Sequence, residues 1–224
     1  MVPDPGMPLE EMENWFERGT RRLLDLAVRD RCEGFLLCST GAVYQPQGRP
    51  LCEEDPLVSL EGPLTYGRIR RQVEEQCLKA CQRRGISLKI ARGFNFAGPR
   101  LPENAGFAFS DFQRDAAAGR PVWVKSDGQS VRTYLYASDM ASWLWKILLQ
   151  PSTIETFNVG AKNKIKIKTL AELIGKNKNS SVYILKNKMQ NAAGNNFYVP
   201  KVEKCKKKLG LKVTKTLKQI LKLN

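Results

Sequence analysis

An α/β fold built on a parallel sheet is what the sequence predicts, on three observations. A short apolar run, Gly34-Phe35-Leu36-Leu37-Cys38, leads straight into Ser39 and Thr40, the pattern of a buried parallel strand whose carboxyl end opens onto a crevice. From Tyr66 to about Arg84, the residues Ile69, Val73, Cys77, Ala80 and Cys81 recur at three- and four-residue spacing, and Gly85 follows as a helix C-cap. Ser87-Leu88-Lys89-Ile90-Ala91 then reads as a second strand, beside the first.

The other elements follow in order. A helix is predicted from about Leu9 to Asp30, with Met12, Trp15, Phe16, Leu23, Leu24, Leu26 and Ala27 on its apolar side. Gly98 and Pro99 end a loop that opens at Asn95, whose side chain either bonds its own backbone in a turn or faces a ligand. Phe107 to Ala118 reads as a helix and Pro121 to Val124 as a strand. Asp127-Gly128 marks a tight turn, and Val131 to Tyr136 alternates as a strand leading to Asp139, expected to cap a helix from Met140 to Leu149 with a stripe of Trp143, Leu144, Ile147 and Leu148. Phe157-Asn158-Val159-Gly160 reads as a strand end, Thr169 to Ile174 as a short helix, and Val202 to Leu209 as a last helix capped by Gly210.

With 224 residues and 42% apolar content the chain can bury a sizeable core, as one large domain or two unequal lobes. No apolar run approaches the roughly 18 residues of a spanning helix, and the opening residues lack the pattern of a signal peptide, so a cytoplasmic location with no membrane partner is expected. The six cysteines are accompanied by no histidine, and Cys77 and Cys81 lie on an apolar helix face, which favours packing over a metal site. The net charge of +15 is uneven: residues 162–224 hold 17 lysines against Glu172 and Glu203, and the rest of the chain is balanced. A lysine-rich tail suits an anionic surface or nucleic acid, but it lacks an aromatic RNA-binding motif, and Lys164-Ile165-Lys166-Ile167-Lys168 alternates like a solvated strand face, which disfavours nucleic acid.

Thr40 at a strand tip, Tyr66 at a helix start and Arg70 one turn along suit reversible proton transfer at a sugar hydroxyl or carbonyl. That chemistry needs a phenolate, and a cation about 4 Å from a phenol favours it by about 4 kcal/mol at an effective dielectric near 20, before desolvation subtracts.

These residues resemble a family, the extended short-chain dehydrogenase/reductases often labelled NAD-dependent epimerase/dehydratase, which act on nucleotide sugars. The resemblance spans nearly the whole chain: Ser39 to Tyr44, the Tyr66-x-x-x-Arg70 pair, Arg92-Gly93-Phe94-Asn95-Phe96-Ala97-Gly98-Pro99-Arg100, Asp127-Gly128 with Arg132 to Asp139, Phe157 to Gly160, and Tyr198-Val199-Pro200. It implies the C-terminal part of a Rossmann-type doubly wound parallel sheet, over about residues 1–100, with a smaller α/β substrate-binding lobe over 101–224. It also implies NAD or NADP as cofactor, near Ser39, Tyr66, Arg70 and Phe94, and a nucleotide sugar held by Asn95 and Arg132. Thr40, Tyr66 and Arg70 would be catalytic, and a homodimer through the tyrosine helix is plausible by resemblance alone.

The departures from the family pattern are as specific. No glycine-rich turn between a strand and a helix is present to hold a pyrophosphate, so the chain resembles the family's second half, and the 34–38 strand is expected to have an open edge that invites association. Phe16 stands where an asparagine is usual, Arg70 where a lysine is usual, and Asn196 and Lys201 where an arginine and an aspartate flank the Tyr-x-Pro stretch. Gly41 and Ala42 replace the acidic pair of the dehydratases. The resemblance therefore implies an epimerase or 4-keto-reductase ahead of three alternatives: an inactive remnant that binds only a nucleoside diphosphate sugar, a dTDP-glucose 4,6-dehydratase-like enzyme, and an anion-binding protein that uses the tail.

Overall fold

The computed structural model describes residues 6–99, 101, 106–151, 154–185 and 196–223. A first helix, α1 (Leu9–Arg29), leads into β1 (Gly34–Thr40) and a 3-10 turn over Gly41–Val43. After a loop come α2 (Tyr66–Arg84), β2 (Ser87–Gly93) and the two-residue β3 (Phe96–Ala97). There follow α3 (Ala108–Ala117), β4 (Val122–Val124), β5 (Val131–Arg132), β6 (Leu135–Tyr136), α4 (Ala137–Leu148) and β7 (Ile154–Val159). The chain continues through β8 (Ile165–Lys166), α5 (Ile167–Lys178), β9 (Val182–Ile184), β10 (Phe197–Tyr198), α6 (Glu203–Leu209) and α7 (Leu217–Leu223).

β1, β2 and β7 form a parallel sheet in that order, with Thr40 opposite Gly93 and Gly93 opposite Val159. All three strands therefore end level, which makes the crevice that parallel sheets use for ligands. Both faces are covered. Leu24 and Ala27 of α1 and Val73, Cys77 and Cys81 of α2 close over Leu37, Leu88 and Ile90 on one side. On the other, Trp143 and Ile147 of α4 and Cys205 and Leu209 of α6 close over Ala91, Phe157 and Val159. Each such side chain, fully buried, contributes about 1.5–3 kcal/mol. This is the doubly wound α/β architecture, with β7 returning to the first sheet between the two stretches of chain, one before it and one after, that build the smaller lobe.

The smaller lobe has its own core, in which Phe109 and Phe112 of α3, Val122 and Val124 of β4, Leu170 and Ile174 of α5, and Ile220 of α7 meet. β4 pairs in parallel with β9, and β5 lies between β10 and β8. Two caps show local sequence at work. Thr65 accepts a hydrogen bond from the Arg68 amide at the start of α2, and Gly85, at φ 67°, ends it in the left-handed region.

Several expectations need correction. Asp139 does not cap α4: the helix begins at Ala137, and the Asp139 carboxylate, inside its first turn, accepts from the Thr214 amide at 2.9 Å and the Thr214 hydroxyl at 2.5 Å, tying the tail to α4. The strand expected over 131–136 is two short ones in different sheets, because Thr133 and Tyr134 carry the chain from β5 to β6. The strand-like alternation at 164–168 yields only β8 before α5 begins at Ile167, and α7 was not foreseen. Trp15, Leu23 and Leu26, assigned to the apolar side of α1, are 38%, 57% and 42% exposed. Trp15 and Leu23 share a cavity wall with β1, which has β2 on one side and, among the described residues, no strand on the other. The Arg100 end of the 92–100 stretch lies outside the described residues. Among them, no helix is long and apolar enough to cross a membrane.

Candidate active site

A cavity of about 790 Å³ opens at the carboxyl end of β1. Its polar end is lined by Ser39, Thr40, Tyr66, Arg70, Asn95 and Tyr198, and its apolar end by Phe16, Leu23 and Phe35 to Leu37. Six of the seven residues expected at the site thus meet at one place: Ser39, Thr40, Tyr66, Arg70, Phe94 and Asn95.

Close packing puts Tyr66 opposite Thr40. A Cβ on Gly67 would stand 2.2 Å from the Ala42 carbonyl oxygen, so the first turn of α2 lies directly on the turn that follows Thr40. Gly67→Ala is expected to cost about 1–3 kcal/mol by overpacking, read as a lower midpoint in urea unfolding. Tyr66 itself stays 41% exposed to the cavity.

Thr40 Oγ1 accepts from the Ala42 amide at 3.2 Å and lies 3.1 Å from the Tyr198 hydroxyl. The Gly93 carbonyl, 3.3 Å from the Tyr198 hydroxyl, is a second acceptor within reach of its one proton, and the Tyr198 ring packs on Phe94 with centroids 4.6 Å apart. Burial pushes its phenol up to about 12, so it holds its proton through the working range. Burial likewise raises Tyr44 and Tyr134 above the ordinary tyrosine range. A phenol whose folded pKa is raised stabilises the fold below the ordinary value of about 10 and loses that contribution above it. Stability is therefore expected to fall as pH rises through about 10 to 12, with urea melts across that window as the check.

Ser39 is drawn away from the cavity. Its hydroxyl donates to Glu74 at 2.5 Å, and Glu74 receives a bidentate pair from Arg92 at 3.0 and 2.7 Å, with Glu74 and Arg92 only 4% and 5% exposed. Arg92 also lies over the Tyr44 ring at 4.7 Å, and Tyr44 donates to Asn158 at 2.8 Å. This buried network fixes the tip of β1 to α2 and β7.

Arg70 is 6% exposed; its guanidinium donates to the Cys38 carbonyl at 2.5 Å and stacks over the Phe16 ring at 4.3 Å. The two departures noted from the sequence, Phe16 and Arg70, thus touch each other, the ring supplying a face suited to a guanidinium. Asn95 Nδ2 and Arg70 Nε are buried without a hydrogen-bond partner at this cavity wall, the kind of exception a ligand explains.

Arg132 is the seventh residue and does not line the cavity. It lies behind Tyr198, 5.7 Å from its ring, and its guanidinium donates to the Val131 carbonyl at 2.9 Å, while burial lowers its pKa. Sequence reasoning missed both Tyr198 and the Glu74–Arg92 pair. A usable signal was present for the pair, since an arginine inside the apolar strand Ile90-Ala91-Arg92 requires a buried carboxylate.

Residues 10–160 match the profile of the NAD dependent epimerase/dehydratase family. The chain belongs to that family. Among curated relatives it is 31% identical over 163 residues to UDP-glucuronic acid decarboxylase 1 of Xenopus tropicalis, covering 70% of this chain and 37% of that protein. It is 31% identical over 173 residues to UDP-glucuronic acid decarboxylase 5 of Arabidopsis thaliana, covering 74% of this chain and 49% of that one. The chain thus spans about a third to a half of the curated relatives it matches. Of the solved structures, UDP-glucuronic acid 4-epimerase from Bacillus cereus in complex with NAD superposes with a TM-score of 0.82 at 21% identity, over 98% of this chain and 70% of that one. UDP-glucose 4-epimerase from Thermotoga maritima with UDP-glucose gives 0.79 at 21% identity, over 92% and 66%. At that identity these two show a shared fold, the family's Rossmann-like one.

Proposed function

We propose that this chain carries the substrate side of a nucleotide-sugar epimerase or 4-keto-reductase. The observation that supports it most is the meeting of Thr40 and Tyr66 at one cavity, at the carboxyl ends of parallel strands. Thr40 hydrogen-bonds the reacting sugar oxygen and Tyr66 exchanges a proton with it, a pairing that typically contributes about 10²- to 10⁴-fold. Asn95, with its orphaned amide, makes the diphosphate side.

The residues fit the nicotinamide end of a dinucleotide: Tyr66, Phe94 and Arg70 line the wall, and Arg70 keeps an unpartnered Nε there. A bound NAD or NADP supplies and takes back a hydride at the sugar carbon. Among this chain's residues none forms a glycine-rich turn for the pyrophosphate. The engagement of Arg70 by Cys38 and Phe16 favours a second reading, in which the chain binds a nucleoside diphosphate sugar without turning it over.

A dehydratase is disfavoured, because Gly41 and Ala42 carry no acid and Phe94 fills the space beside Gly41. The lysine tail does not compel an anionic partner, since Lys162 pairs with Glu203, and Lys204 and Lys208 with Glu155.

Calorimetric titration tests the proposal. UDP or dTDP is expected to bind, and Tyr66→Phe to leave that binding unchanged, because the phenol acts on the sugar. No binding of either nucleotide at about 1 mM, the weak end of specific recognition, would overturn it. Binding of NAD⁺ in a parallel titration separates the active reading from the second one.

A further inference from the structure

The Tyr198 hydroxyl is within hydrogen-bond distance of Thr40 Oγ1, at 3.1 Å. A threonine hydroxyl has two acceptor sites and one proton. One site on Thr40 Oγ1 is taken by the Ala42 amide at 3.2 Å. The Tyr198 hydroxyl lies 3.1 Å away, on a half-buried side chain whose desolvated phenol keeps a proton to give. If Tyr198 donates, both acceptor sites of Thr40 are filled and its own proton is the one bonding capacity left for a ligand in the cavity. The alternative acceptor for the Tyr198 proton, the Gly93 carbonyl, stands farther off at 3.3 Å.

We propose that Tyr198 is a positioning residue that makes Thr40 an obligate hydrogen-bond donor toward a sugar oxygen. The proposal rests on the nucleotide-sugar reading above and deepens it. The preferred ligand atom is one rich in lone pairs, a keto oxygen or an alkoxide-like oxygen, and a hydroxyl that must itself donate to Thr40 is turned away. The support for Tyr198 comes from both sides: its ring is held on Phe94 at 4.6 Å, and the next residues are fixed where Leu51 donates to the Val199 carbonyl at 2.9 Å and accepts from the Lys201 amide at 2.6 Å. The hydroxyl is thus delivered by a short strand with little freedom to swing away. Phenylalanine at this place keeps the ring contact and removes only the hydroxyl.

The test compares UDP with UDP-glucose by calorimetry on the intact chain and on Tyr198→Phe, Thr40→Val, Thr40→Ser and the double variant Thr40→Val/Tyr198→Phe. The sugar is expected to add affinity over UDP alone. Each of Thr40→Val and Tyr198→Phe should remove about fivefold to tenfold of that gain, the worth of one hydrogen bond, while UDP affinity stays unchanged. The double variant should lose no more than Thr40→Val alone, since Tyr198 acts through Thr40, and Thr40→Ser should retain the gain. A Tyr198→Phe chain that keeps the full sugar gain, or losses that add in the double variant, would overturn the positioning role and leave the functional reading standing. Failure of UDP itself to bind would overturn the functional reading, and this one with it.

Discussion

Arg92→Met is expected to destabilise the chain by about 3–5 kcal/mol. The reason is the state it leaves behind. Glu74, 4% exposed, would be left with only the Ser39 hydroxyl as partner, where it now has a bidentate guanidinium at 2.7 and 3.0 Å. An uncompensated buried carboxylate is far costlier than the absence of the pair, so the double variant Glu74→Met/Arg92→Met should recover most of the loss. Urea denaturation with an unchanged slope reads both numbers as shifts in midpoint. Arg92→Met with wild-type stability would mean that water reaches Glu74 and that the network does not hold β1 in place. The effect reaches the site because Ser39 and Thr40 are consecutive: loosening the Glu74 anchor frees the strand tip that presents Thr40 to the cavity.

That network also shows where sequence reading stops. α1, β1, α2 and β2 were legible because each advertises itself locally, by apolar periodicity or by an apolar run ending in small polar residues. The two-residue strands β3 and β10 were not, and β5, β6 and β8 were legible as strand-like stretches without their limits or partners, since a pairing far along the chain decides both; β10 meets β5 across 66 residues. Asp139 failed for the same reason. An aspartate near a helix start reads equally well as a cap or as a first-turn anchor, and the choice is made by Thr214. Six residues of the candidate site could be named from family motifs, because these motifs sit at strand ends and helix starts that converge by topology alone. The identity of their hydrogen-bond partners did not follow. Phe16 and Arg70 were read as separate oddities, and only the packing of α1 on α2 shows that they are one contact.

Gly41→Asp tests what this site excludes, and its expected cost is about 1–3 kcal/mol of overpacking strain. A Cβ at this position would lie 2.5 Å from the Phe94 ring, so the aspartate can enter only if the ring moves. That ring supports Tyr198 at 4.6 Å, and Tyr198 in turn touches Thr40, so displacement propagates to the hydroxyl that faces the cavity. Phe94→Ala alone should cost about 3–5 kcal/mol through the void it opens, since Phe94 is 4% exposed. Together the two changes should cost less than their sum, because the carboxylate occupies part of the void and the ring no longer resists it. A strictly additive double variant in the same urea series would show that Phe94 does not close position 41. Coupling of the expected sign makes Gly41 and Phe94 a single steric unit: the ring takes the place where a dehydratase would set an acid, and on the proposed function proton transfer would be left to Tyr66. On the proposed function, that arrangement would suit a reaction that moves a hydride at one carbon and a proton at its oxygen, as epimerisation and ketone reduction do, and would lack the further acid that elimination of water requires.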